Sequence, residues 1–92
     1  MTEVTDNREL AHYEARVDDQ LAGFIHYRAA SGVVTMMHTE VDVGLQRRGI
    51  GSALVAGALD DVRGRGLKVR PQCPFVAAYI ERHPEYAELV AP

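Results

Sequence analysis

Two turn signals, Asp18-Asp19-Gln20 and Ala30-Ser31-Gly32, cut residues 10–41 into three short runs that read as strands. In the first, Tyr13, Ala15 and Val17 alternate with Glu14, Arg16 and Asp18, the period-two pattern of a half-buried strand. In the second, Leu21, Gly23, Ile25 and Tyr27 fall on one face while Ala22, Phe24 and His26 fall on the other. The third, Val33–Val41, is rich in β-branched residues and also reads as a strand. Strands joined by turns this short pair antiparallel, so the first half of the chain is expected to form a meander. Residues 1–7 are polar, show no periodicity and read as a loose tail.

The period changes in the second half. Leu54, Ala58 and Val62 recur four residues apart, flanked by Val55 and Leu59, which predicts a helix starting near Ser52. Gly64 and Gly66 end it, with Arg63 and Arg65 near its negative end. Leu67-Lys68-Val69-Arg70 is a short alternating strand stopped by Pro71. A second helix begins at Pro74, carries the pairs Phe75/Tyr79 and Val76/Ile80, and stops before Pro84. The order β-β-β-α-β-α predicts an α/β (α+β) fold: a mixed, mostly antiparallel sheet of about four to five strands with two main helices.

At 92 residues the chain holds one core, so residues 1–92 are read as a single domain. Its longest apolar run, from Ala53 to Leu59, is far below the roughly 18–20 residues that span a bilayer, so no membrane association is expected. The first residues lack a signal-peptide pattern and the one cysteine excludes an internal disulfide, which together point to the cytoplasm. His12, His26 and His83 lack metal-ligand spacing, and no metal is expected. Charge is unevenly spread: residues 1–46 carry three basic and eight acidic groups, whereas residues 47–92 carry seven and five. The basic excess lies between Arg47 and Arg70 and suits a phosphate-bearing ligand. Nucleic acid fits worse, because the isoelectric point is about 5.7 and aromatic residues do not interleave with the basic ones.

Between the third strand and the first helix lies Gln46-Arg47-Arg48-Gly49-Ile50-Gly51-Ser52. It is not a P-loop, because Gly49 is followed by Ile50 where a lysine is needed, and not a dinucleotide fingerprint, because Leu54 stands where the third glycine belongs. Backbone N–H groups at the start of a helix nevertheless make an anion pocket, and the helix dipole favours a pyrophosphate there. The segment matches Q/R-x-x-G-x-G/A and resembles the acetyl-CoA loop of the GNAT superfamily of N-acetyltransferases. The likeness continues through Pro71-Gln72-Cys73-Pro74-Phe75 and His83-Pro84-Glu85-Tyr86, and is similar to the minimal, single-domain members of about 90 residues. That resemblance implies a GNAT-like sheet, with acetyl-CoA held by its pyrophosphate at Gln46, Arg47, Arg48, Gly49, Ile50, Gly51 and Ser52. It implies pantetheine along Val41, Asp42 and Val43, with Pro74 and Phe75 beside it. The helices that shape the acceptor site in larger members have no room between Val17 and Leu21.

Four residues are candidates for chemistry. Cys73 precedes a helix-opening proline and is the expected N-cap, where partial positive charge favours thiolate. The resemblance places it near the thiol end of CoA; a buried inert cysteine is the competing reading. His38 and Glu40, two apart on a strand, share a face, and either could deprotonate an acceptor amine or be an ordinary strand residue. Tyr79 matches the position from which larger members protonate the leaving thiolate, though its spacing from Phe75 suits packing equally. The implied activity is acetyl transfer from acetyl-CoA to a primary amine, directly or through acetyl-Cys73, by a monomer or small homo-oligomer. The alternative is a CoA-binding regulatory module without turnover.

Overall fold

The computed structural model describes residues 2–42, 44 and 49–92. Four strands, β1 (Thr2–Asn7), β2 (His12–Val17), β3 (Gln20–Ala30) and β4 (Val33–Val41), pair antiparallel in chain order. Helix α1 (Ile50–Gly64) then crosses over to β5 (Lys68–Pro71), which lies parallel to β4 at the end of the sheet. Helix α2 (Pro74–Arg82) and a 3-10 helix (Pro84–Leu89) complete the fold. The mixed sheet with two main helices is the expected fold class, with one strand more than the β-β-β-α-β-α order and with α1 starting at Ile50 rather than near Ser52.

That additional strand corrects the reading of residues 1–7 as a loose tail. Thr2–Asn7 has a single large apolar residue, so periodicity could not reveal it. It is a strand because of distant partners. Val4 packs on Gly57 of α1, where an added Cβ would lie 2.7 Å from the valine Cβ. Asp6 accepts a 2.6 Å bond from the Tyr27 hydroxyl and lies 3.2 Å from the Arg65 guanidinium. Arg65 also holds Asp61 at 3.0 Å, and Asp61 accepts a 2.7 Å bond from Tyr13. Gly57→Ala is therefore expected to destabilise the protein by roughly 1–3 kcal/mol despite alanine's better helix propensity, because a Cβ at 2.7 Å from the β-branched Val4 forces β1 to shift away from α1. Urea denaturation measures the loss, and faster amide exchange confined first to β1 would locate it.

Both hairpin turns have two-residue loops in left-handed backbone, Asp18 and Asp19 at φ 50° and 67° and Ser31 and Gly32 at 53° and 77°. This geometry follows the right-handed strand twist, which is why the turns were readable locally. On α1 the buried residues include Leu54, Val55, Ala58, Leu59 and Val62, the stripe expected from their spacing. The 3-10 helix is pinned to α1 by a 2.8 Å bond from Tyr86 to Asp60 and by Arg63 over the Tyr86 ring at 5.0 Å.

Burial, reinforced by hydrogen bonds to Asp6 and Asp60, pushes the Tyr27 and Tyr86 phenols up to about 12. An unfolded tyrosine ionises near pH 10, so these groups contribute stability fully present below about pH 10 and lost as pH rises toward 12. The thermal midpoint should fall across that window, by roughly 4–8 °C for each kcal/mol lost. In Tyr27→Phe and Tyr86→Phe the fall should be shallower, measurable by calorimetric scans at stepped pH.

Candidate active site

The site arises where the sheet stops being a sheet. Pairing of β5 with β4 ends at Met36↔Pro71, and the Cys73 amide donates a last bond of 2.9 Å to the Met36 carbonyl. Strand β4 continues to Val41, while the chain beyond Cys73 turns into α2. A cavity of about 420 Å³ occupies the resulting gap. Among the described residues it is lined by Thr39 and Val41 of β4, Gly49, Gly51 and Ser52 at the start of α1, and Phe75 of α2.

Both helices start near this cavity without a side-chain cap. Gly49 caps α1 in the left-handed region at φ 71°, and Cys73 caps α2 with Pro74 in the first turn. Neither cap makes a side-chain hydrogen bond and neither first turn carries an acidic residue, so both ends keep their attraction for an anion. At Gly51 the backbone approaches the Phe75 ring so closely that a Cβ would lie 2.7 Å from the ring edge. The glycines thus bring helix backbone to the cavity wall. A cavity with largely apolar walls and the first N–H groups of a helix at one end suits a pyrophosphate joined to a narrow pantetheine chain.

A bulge decides which residues face the cavity. His26 pairs with His38 but Tyr27 pairs with Met36, leaving Met37 as an extra residue on β4. Before it, Val34 and Met36 face the helices; after it, Thr39 and Val41 do. His38 and Glu40 consequently point to the other side of the sheet. They share a face as expected and form a 3.2 Å pair, with both side chains 62% exposed.

Cys73 is buried, and its Sγ lies 3.3 Å from Thr39 Oγ1. Thr39 was not among the sequence candidates: an isolated threonine on a strand carries no motif, and only the fold brings it to a residue 34 positions away. Tyr79 is buried against His83, with ring centroids 3.9 Å apart, and tilts toward Tyr86 rather than lining the cavity; burial raises its phenol pKa. Ile50 faces the core and Pro74 is exposed. Asp42 accepts a 2.9 Å bond from the Gly44 amide. Val43, Gln46, Arg47 and Arg48 lie outside the described residues.

A strand–glycine loop–helix unit with a gap between two formerly parallel strands defines an acetyltransferase-type fold. The sequence agrees: residues 12–89 match the family model of GCN5-related N-acetyltransferases, and the chain belongs to that family. The solution structure of a GCN5-like protein from Staphylococcus aureus superposes with a TM-score of 0.72 at 20% identity, covering 97% of this chain and 87% of that one. Ard1 from Thermoplasma volcanium gives 0.62 at 21% identity over 85% of this chain and 56% of its own. An IAA acetyltransferase from Bacillus cereus gives 0.59 at 16% identity over 90% and 74%. At these identities the likeness is one of fold. No curated protein matches the sequence, and no described helix is long and apolar enough to cross a membrane.

Proposed function

We propose that this protein transfers the acetyl group of acetyl-CoA to a primary amine. The observation that carries the reading is the glycine loop opening α1 onto a cavity walled by β4 and α2, in a chain of the GCN5-related family. Bound acetyl-CoA would supply an activated thioester. Backbone N–H groups around Gly49 to Ser52 would hold its pyrophosphate, with Gln46, Arg47 and Arg48 adding charge and polar contacts. Val41, Asp42 and Val43 would flank the pantetheine, with Pro74 and Phe75 across the gap. Cys73, steadied by Thr39, would position the thioester carbonyl. The His38–Glu40 pair would accept the amine's proton from the open side of β4. The reading places the reaction in the cytoplasm and assigns no metal to it.

Isothermal calorimetry with acetyl-CoA, followed by thiol-release assays across amines and peptides, tests it. Binding accompanied by amine-dependent thiol release is the expected result. The two-residue link between β2 and β3, which leaves no helices to enclose an acceptor, favours a second reading as a CoA-binding regulatory module. Tight binding without release for any acceptor would establish that one instead.

A further inference from the structure

On the open face of the sheet a second cavity, of about 340 Å³, lies against the same strand as the first, and Val41 lines both. Its other walls include Leu21, Gly23, Phe24, Glu40 and Asp42. The Phe24 ring is held in place: His12 stacks on it at 4.3 Å with 11° between planes, and His38 meets it edge-on at 6.5 Å. Leu21 is 47% exposed, an uncovered apolar side chain at the rim. The two carboxylates are not equivalent. Among the described residues Asp42 accepts a bond from the Gly44 amide, whereas Glu40 pairs with His38 and stands on the strand that borders the gap.

We infer that this second cavity seats the body of the accepting amine, and that the acceptor is a small primary amine carrying an aromatic ring. The inference rests on the proposed acetyl transfer and names its substrate class. A volume near the bottom of the roughly 300–1,000 Å³ range of small-molecule sites suits a compact amine better than a folded partner. A fixed aromatic platform beside an uncovered leucine rewards an aromatic body, stacked or edge-on. An aliphatic diamine offers no ring to the Phe24 wall and so gains nothing from the aromatic platform. In the reaction the ammonium gives a proton to Glu40 and the freed nitrogen lone pair forms the C–N bond at the thioester carbonyl. The C–S bond breaks with its electron pair on sulfur. The nitrogen's second surplus proton balances the CoA thiolate, and the Glu40 proton leaves to solvent.

The probe is 2-phenylethylamine, compared with 1,4-diaminobutane and a lysine-containing peptide. Two readouts are needed: NMR shift changes on adding amine to the CoA-saturated protein, and thiol release with acetyl-CoA. Phenylethylamine should show a kcat/KM at least about tenfold above the other two. Leu21→Asn, at an exposed position that does not threaten folding, and Phe24→Leu should each raise its KM by roughly fivefold or more while acetyl-CoA affinity stays unchanged. Preference for the diamine or the peptide, or an unchanged KM in both variants, would overturn the inference. Phenylethylamine shifting the Phe24 and Leu21 resonances without thiol release would uphold the cavity and overturn acetyl transfer. Thiol release with other amines only would uphold transfer and overturn the cavity.

Discussion

Gly51→Val should reduce acetyl-CoA affinity by at least roughly tenfold, about 1.4 kcal/mol, while leaving the protein folded. The first Cβ alone would lie 2.7 Å from the Phe75 ring, so the ring must swing away from α1 and into the space that the ligand needs. Phe75 is 40% exposed and can move without unfolding the core, which separates loss of binding from loss of structure. Gly49→Val should act by a second route. Its φ of 71° is left-handed, and holding a side chain there costs on the order of 1–2 kcal/mol, so the helix start would rearrange. Calorimetry with a circular-dichroism melt on each variant reads both effects. An unchanged Kd in folded Gly51→Val would remove the loop from the binding site.

The second large effect is expected at Cys73. In direct transfer the side chain positions the thioester, and a displacement of about 1 Å at a reacting centre can cost on the order of 10² in rate. Cys73→Val, which is bulkier and cannot pair with Thr39, should therefore lower kcat/KM roughly 100-fold. Cys73→Ser keeps a polar atom within reach of Thr39 and should retain most of the rate. Incubation with acetyl-CoA alone should leave no acetyl group on Cys73 by mass spectrometry. An accumulating acetyl-cysteine, with Cys73→Ser and Cys73→Val both inactive, would instead show a covalent route through the thiol.

Much of this architecture is legible along the chain because its causes are local. Asp18-Asp19 and Ser31-Gly32 make hairpin turns through their own backbone angles. The stripe through Leu54, Ala58 and Val62 marks the buried face of α1 by spacing alone, and Pro74 places Cys73 at the cap of α2. The glycine loop is readable for the same reason, since its chemistry resides in consecutive backbone groups. Other features have no local cause. Thr2–Asn7 is polar enough to pass for a tail, yet Gly57, Arg65 and Tyr27 make it a strand. Tyr79 has spacing that suits either chemistry or packing, and its stacking on His83 places it in the core.

The residues of β4 show the division most clearly. Alternation in Val33–Val41 determined that His38 and Glu40 share one face and that Thr39 and Val41 share the other, because side chains along a strand alternate whatever surrounds it. It could not determine which face meets the helices. That depended on the bulge at Met37, where two residues of β4 oppose one step of β3, and a shift of one residue exchanges the faces. The tertiary pairing alone therefore turned Thr39 toward Cys73 and His38 and Glu40 toward the open side of the sheet.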